Sequence, residues 1–288
     1  MGLIIPSGPD WAYCTHNYPS SVNAEALGAA VTSSGTANTD GTAVDLFGAA
    51  LSHDVEYLRL SFSANQSASA NNDALATILI DPAGSTSWST LIPFLICGPV
   101  NDISISGGTP GGQGCFYDFP IWIPSGATVG CQIRANNTSG ATWQVLALAH
   151  GGNANPASWW CGQRVTAIGV TEAASDGTTV APGTSGSFGS WADVGSTLGA
   201  DAGAIQYGIS GVGGSFASSA YYEYEFGVSD VRIGPPAFRI MTSNEVGWWI
   251  GTGPIFKRIS AGAQIRARGR EDGADGQSLS VAAYAVLG

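Results

Sequence analysis

The chain is short of charge. Only 11% of its 288 residues are Asp, Glu, Lys or Arg, against about a quarter in an average soluble domain, and Lys257 is its single lysine. Exposed helix faces draw on Lys, Glu, Gln and Arg, so a bundle of long helices is excluded. Cations are the scarcer sign, with 10 Lys and Arg against 21 Asp and Glu, a net charge of −11. A surface that coats nucleic acid needs clustered cations to displace counterions, so no nucleic-acid partner is expected. Long apolar runs are missing too. Stretches such as residues 281–287 fall far short of the ~20 residues of a spanning helix, and no membrane insertion is expected.

Chemical motifs are equally scarce. The five cysteines (Cys14, Cys97, Cys115, Cys131 and Cys161) are odd in number and contain no Cys-x-x-Cys pair, which excludes a disulfide framework or a zinc site. Cys97 and Cys115 bracket a Gly-rich insertion and are the one pairing to test. There is no nucleophile elbow, P-loop, His-Glu-x-x-His or EF-hand spacing. The expectation is therefore a chain that is not an enzyme and has no cofactor, metal or catalytic residue. The N-terminus, Met1-Gly2-Leu3-Ile4-Ile5-Pro6, has neither a basic n-region nor an apolar stretch of signal-peptide length. Synthesis in a cytoplasm is the expectation.

What is present favours strands. The chain is 44% hydrophobic, with 9 Trp, 9 Tyr and 10 Phe beside 41 Gly and 14 Pro; a disordered chain is poor in aromatics and rich in charge. Leu58, Leu60 and Phe62 alternate with Tyr57, Arg59 and Ser61. Tyr222, Tyr224 and Phe226 alternate with Glu223 and Glu225. Leu279, Val281, Ala283 and Ala285 alternate with Ser280, Ala282 and Tyr284. Period-two patterns predict half-buried antiparallel strands, and Asp-Gly pairs at 40–41, 176–177, 272–273 and 275–276 predict tight turns. Residues 21–30 are the one place where a short helix fits.

The two ends of the pattern repeat. Residues 123–152 align with 259–288 without a gap at a constant offset of 136. Identities fall at Ile123/Ile259, Gly126/Gly262, Ala127/Ala263, Arg134/Arg270, Gly140/Gly276, Val145/Val281, Ala147/Ala283, Ala149/Ala285 and Gly152/Gly288. The same offset joins Asp40-Gly41-Thr42 to Asp176-Gly177-Thr178. Leu51-Ser52-His53-Asp54 resembles Leu198-Gly199-Ala200-Asp201 at a shifted offset. The predicted fold is all-β: two tandem homologous antiparallel β-sandwich (jelly-roll-like) domains, 23–152 and 153–288, after an N-terminal arm, 1–22. The Gly-Gly-Asn-Ala-Asn-Pro stretch from Gly151 reads as the linker.

Candidate functional residues follow from composition and spacing. His16, His53 and His150 lie in the first half only, so a site shared by both halves does not depend on them. The adjacent pairs Trp159-Trp160 and Trp248-Trp249 place one ring on each face of a strand. They are the candidate ligand or subunit contacts, since exposed aromatics stack on sugars or fill interfaces. Glu223 and Glu225 form an acidic stripe, and Arg266, Arg268 and Arg270 a basic one, which together predict cross-strand ion pairs or an intersubunit contact.

Three segments carry a resemblance. They are Tyr221-Tyr222-Glu223-Tyr224-Glu225-Phe226, Ile255-Phe256-Lys257-Arg258-Ile259-Ser260-Ala261-Gly262-Ala263, and the Pro-Ile-aromatic pattern with Ile-x-x-Gly-Ala at 120–127 and 254–263. In texture they resemble virion structural proteins of tailed bacteriophages. The resemblance implies an oligomeric virion component assembled in the host cytoplasm, most simply tail-associated, as a fibre or distal tail protein contributing to host attachment. Its partners would be copies of itself, other virion proteins and a host-surface glycan. A head decoration or spike, and a carbohydrate-binding module, are the alternatives.

Overall fold

The computed structural model describes residues 11–17, 28–64, 74–85, 87–97, 115–136, 140–153, 160–170, 177–184, 186–211, 221–234, 237–241, 253–272 and 278–288. All regular elements among them are strands, and the protein is all-β.

The strands of the first half are β1 (Trp11–His16), β2 (Ala29–Thr32), β3 (Val44–Asp45), β4 (Val55–Ala64), β5 (Ala74–Asp81), β6 (Ser89–Ile96), β7 (Cys115–Phe119), β8 (Thr128–Ala135) and β9 (Thr142–Asn153). They make one sheet in the order β1-β9-β4-β7, with β2 also on β9, and a second in the order β3-β8-β5-β6. The second half holds β10 (Arg164–Ile168), β11 (Thr178–Val180), β12 (Pro182–Gly183), β13 (Ala192–Asp193), β14 (Ala202–Gly211), β15 (Tyr221–Val228), β16 (Val231–Arg232), β17 (Ala237–Met241), β18 (Ile255–Ile259), β19 (Ile265–Glu271) and β20 (Leu279–Leu287). Its sheets run β10-β20-β14-β18, with β11 on β20, and β12-β19-β15-β16, with β13 on β19 and β17 on β15. The order of β1, β2, β4, β7 and β9 in the one half is that of β10, β11, β14, β18 and β20 in the other.

Individual bonds repeat as well. Leu51 N–H donates to Ala127 O and Gly126 N–H to Leu51 O, both at 2.8 Å; Leu198 N–H donates to Ala263 O at 2.9 Å and Gly262 N–H to Leu198 O at 2.7 Å. Asp54 Oδ1 accepts Ser125 N–H at 2.7 Å, and Asp201 Oδ1 accepts Ala261 N–H at 2.8 Å. One sequence match does not correspond. Gly41 N–H donates to Ile133 O, but the bond in its place, to Gly269 O, comes from Gly189. Gly177 answers instead to Gly28: the two precede β11 and β2 at φ +131° and +92°, and a Cβ would meet Val281 O at 2.6 Å and Val145 O at 2.3 Å respectively. Asp-Gly recurs wherever a tight turn is needed, so three matched residues did not fix the alignment.

Three further expectations change. Residues 11–16, expected in an arm, form an edge strand on β9 of their own chain. The stretch from Gly151, read as linker, belongs to the central strand β9 as far as Asn153. Gly151 is there for closeness, since a Cβ would lie 1.8 Å from Asp54 O. Residues 29 and 30, at the end of the possible helix, are strand.

The alternating faces are largely as patterned. Leu58, Leu60, Phe62, Tyr222, Tyr224 and Phe226 are at most 1% exposed. β20 differs: Ala282, Tyr284 and Val286 on its second face are as buried as Val281, Ala283 and Ala285. The first set joins the core of the first half, while the second set joins the core between the sheets of the second half. A strand expected to be wet on one side is thus dry on both, because the first half covers it.

At that junction β6 is irregular. Its register with β5 shifts on either side of Ile78, and Phe94 takes φ +52°, as at a β-bulge. Backbone groups of this edge strand are met by tyrosines. Ile96 N–H donates to Tyr284 Oη at 2.9 Å, Tyr284 O–H donates to Phe94 O at 3.0 Å, and Tyr117 O–H donates to Ile96 O at 2.8 Å. The rings of Tyr117 and Tyr284 meet edge to face at 5.3 Å. Asp118 N–H donates to Gln206 Oε1 at 3.1 Å, and Trp122 N–H to Gly162 O at 2.7 Å.

Tyr284→Phe leaves Ile96 N–H and Phe94 O without that hydroxyl in a buried place. A loss of about 1–3 kcal/mol is expected, read by urea denaturation as a lower midpoint of a single transition that both halves share. Two resolved transitions in the wild-type chain would contradict the shared core.

Candidate functional site

One described cleft brings an exposed aromatic together with charge. Trp160 precedes β10, and its ring lies against Gly203 of β14 and Gly288 after β20. A Cβ on Gly203 would stand 2.4 Å from Cζ2 of the ring, and one on Gly288 3.0 Å from the same atom. Gly203 is the extra residue at a register shift in β14, between Ala202 and Ala204, where a bulge commonly places glycine. The ring keeps 37% of its surface exposed and lines an open cleft of ≈ 420 Å³ together with Asp201, Ala202, Gly203, Arg258 and Gly288. Asp201 Oδ2 accepts from Arg258 Nη2 at 3.1 Å. The Ala261 N–H and then the Arg258 guanidinium hold the Asp201 carboxyl below its usual range, so it is ionised at neutral pH. The Arg258 side chain is 83% exposed, which leaves donors of its five for solvent or a ligand.

Of the tryptophans singled out by sequence, Trp160 is the one described; Trp159, Trp248 and Trp249 lie outside the described residues. Adjacent aromatics do split between faces on β7, where Phe116 is 45% exposed and Tyr117 fully buried. Asp201 and Arg258 were not singled out. The signal for Asp201 was its match to Asp54; Arg258 carried none.

The charged candidates gather on the outer face of β15 and β19. The register sets Glu225 opposite Arg268 and Glu223 opposite Arg270. Arg268 donates to Glu225 Oε2 from Nε at 2.9 Å and from Nη2 at 2.6 Å, and Arg232 Nη1 donates to Glu225 Oε1 at 3.1 Å. Arg270 donates twice to Glu223 Oε2, at 2.9 and 2.5 Å. Arg266 bonds Asp193 at 2.6 Å and Asp230 at 2.5 Å. Aromatic rings cover the guanidiniums: Arg268 lies 4.5 Å from the Trp191 centroid and 4.8 Å from that of Phe188, which also takes Arg270 at 4.7 Å. These are intrachain bonds, and Glu225 is buried although its strand position faces outward and its partners Arg232 and Arg268 stay partly exposed.

On the outer face of the first sheet, Cys14 Sγ lies 4.0 Å from His150 Nε2, and the His150 ring meets Tyr57 edge to face at 6.2 Å. Burial raises the Cys14 thiol and lowers the His150 imidazole. At neutral pH the pair is thus thiol and neutral imidazole, without the ion pair that activates a nucleophilic cysteine. Cys97 is buried; the side chain of Cys115, its expected partner, lies outside what the structure describes.

No family model matches the chain, and no curated protein matches it in sequence. Solved structures that match include PNGase F, a glycosylasparaginase from Flavobacterium meningosepticum, at 9% identity and TM-score 0.39, covering 90% of this chain and 96% of that one. The chain spans 65% of the related PNGF-II structure, at 12% identity and TM-score 0.40. Others are the tandem CBM22 domains of Paenibacillus barcinonensis Xyn10C, at 10% identity, TM-score 0.27 and 97% and 98% coverage, and the major capsid protein P2 of bacteriophage PM2, at 9%, 0.33, and 91% and 98%. The neighbours thus include a viral capsid protein and carbohydrate-binding modules. They also include enzymes, matched with higher TM-scores, and this overturns the expectation that the chain is not an enzyme. At these identities and TM-scores no activity, ligand or partner passes from any of them to this chain.

Burial opposes ionisation of Glu225, but the hydrogen bonds from Arg268 and Arg232 outweigh it and hold the carboxyl below its usual range. A folded pKa below the unfolded value of about 4.3 means that this stabilisation is complete above that pH and is lost as pH falls through the folded value. Glu225→Gln is expected to cost on the order of 2 kcal/mol at pH 7 and to flatten the acid side of the stability–pH curve. Denaturant titrations between pH 2 and 7 check both, and an unchanged acid limb would contradict the assignment.

Proposed function

We propose that the chain is a structural component of a tailed-phage virion, tail-associated in a fibre or distal tail position, where it contributes to host attachment. A head-decoration role is the variant reading. The two halves, 23–152 and 153–288, are tandem copies of one sandwich in this proposal, supported by their matching strand orders and turn bonds. The observation that carries the reading is the junction. One hydrophobic cluster takes in Leu95, Ile96, Tyr117 and Phe119 of the first half with Ala204, Ala282, Tyr284 and Val286 of the second. Two sandwiches joined by a dry core make a stiff block rather than two tethered modules, as a particle component requires. Phe116, Trp122, Val231 and Phe256, each more than 40% exposed, offer apolar surface to copies of the chain or to other virion proteins.

Cryo-electron microscopy of purified particles, with antibody labelling of the chain, is expected to place it on the tail. Its absence from particles would overturn the proposal, and density on the head would select the variant. Size-exclusion chromatography with light scattering is expected to show self-association, whereas a strict monomer at all concentrations would contradict it.

A second reading, a carbohydrate-binding module, is favoured by the Trp160 cleft, where a fixed aromatic ring meets a carboxylate and a guanidinium.

A further inference from the structure

The corner that holds the Trp160 cleft has a counterpart in the first half. Gly152 and Gly288 are matched in the repeat, and each carries an exposed aromatic ring. A Cβ on Gly152 would stand 2.6 Å from Cδ2 of Tyr13, as one on Gly288 would stand 3.0 Å from Cζ2 of Trp160. Tyr13 is 56% exposed and stacks on His53 at 5.1 Å and 26°, so its ring, like that of Trp160, is held from beneath. The matched carboxylates, Asp54 and Asp201, are each fixed through Oδ1 by the N–H of Ser125 or Ala261, and Asp201 lines the cleft with Trp160. The two rings enter from different strand positions: Tyr13 lies on β1, opposite Gly151, whereas Trp160 lies ahead of β10. Both halves thus place an aromatic at the same corner by different routes.

We propose that these two corners are quasi-equivalent pyranose-binding subsites, with Trp160 and Tyr13 as stacking platforms and Arg258 and Asp201 supplying polar contacts in the second. This deepens the attachment reading, on which its biological role rests, by naming a glycan as the surface ligand. The cleft suits a sugar in size and lining. Its ≈ 420 Å³ falls within the range of small-ligand sites, apolar with a few placed polar groups. A flat aromatic ring takes the C–H face of a pyranose, while an exposed guanidinium and an ionised carboxylate present donors and acceptors to ring hydroxyls. A nucleic-acid base would also stack, but its phosphates need unpaired cations; here the cleft's arginine is paired with Asp201 in a chain of net charge −11. Gly152 and Trp160 are eight residues apart in sequence, so their Cα atoms lie within about 29 Å of each other. One chain of sugars can then engage both corners, and linked weak sites gain ~10²–10⁴ in avidity over either alone.

The test is binding of the full chain to immobilised oligosaccharides of neutral hexoses, N-acetylhexosamines and hexuronates, with single-stranded oligonucleotides alongside. At least one sugar class is expected to bind. Trp160→Ala should weaken it tenfold or more, Arg258→Gln several-fold, and Tyr13→Ala combined with Trp160→Ala further still, with Trp160→Phe retaining most of the binding. Thermal melts report the folding of each variant. Arg258→Gln alters an exposed side chain, so it tests the cleft even if Trp160→Ala fails to fold. The proposal is overturned if the wild-type chain binds none of the sugars, if oligonucleotides bind in their place, or if Trp160→Ala and Arg258→Gln bind as the wild type does. A chain present in particles but blind to sugars sinks the subsites alone. Sugar binding by a chain absent from particles sinks the virion reading alone.

Discussion

The hydroxyl of Tyr284 meets a need that neither half of the molecule meets by itself. β6 is the edge of its sheet, so Ile96 N–H and Phe94 O look to a partner outside it, and buried backbone groups left unpaired are costly. Tyr284, on the last strand of the other half, accepts from one and donates to the other. For the hydroxyl to arrive there, the second face of β20 must lie on the first half, and that face is accordingly Ala282, Tyr284 and Val286 rather than polar residues. The continuous core, the burial of Gln206 and the backbone bonds between Trp122, Pro120 and Gly162 all go with that arrangement.

This also explains which parts of the fold were legible in advance. Alternation such as Leu58-Arg59-Leu60-Ser61-Phe62 encodes one wet and one dry face directly, so the strand class could be read residue by residue. Residues 281–287 encode something else. Their alternation of Val281, Ala283 and Ala285 with Ala282 and Tyr284 matches a half-buried strand, yet small apolar residues on the second face mark a strand covered on both sides. Contacts across the junction join residues separated by 188 positions, such as Ile96 and Tyr284, and no local period records them. Glycines misled for a related reason. Gly151 looked like a linker residue, whereas its missing side chain admits the carbonyl of Asp54.

The site was legible in outline. Trp160 stood out as part of an aromatic pair, but the glycines beneath its ring are ordinary in a chain with 41 of them. Arg258 sits where Trp122 stands in the first half, and a repeat argument discards positions that differ. The acidic and basic stripes were plain because strand pairing turns a period of two into a ladder of facing charges. Asp193, Asp230 and Arg232 complete that ladder from short segments whose sequence shows no pattern. The guanidiniums of Arg232, Arg258, Arg266, Arg268 and Arg270 each meet a carboxylate of the same half.

A dry junction has a geometric result as well. Two corners on a hinged pair of modules would sample many separations, and a ligand would meet them at whatever spacing it carried. With Tyr284 bonded into the bulge of β6, the Tyr13 and Trp160 rings keep one separation and one relative orientation. Were the two corners to bind sugars as proposed, the molecule would act as a calliper: a polymer whose repeat matches the gap would span it, and one with another periodicity would engage a single ring. Selectivity in such a device resides in the distance between the rings more than in the chemistry at either.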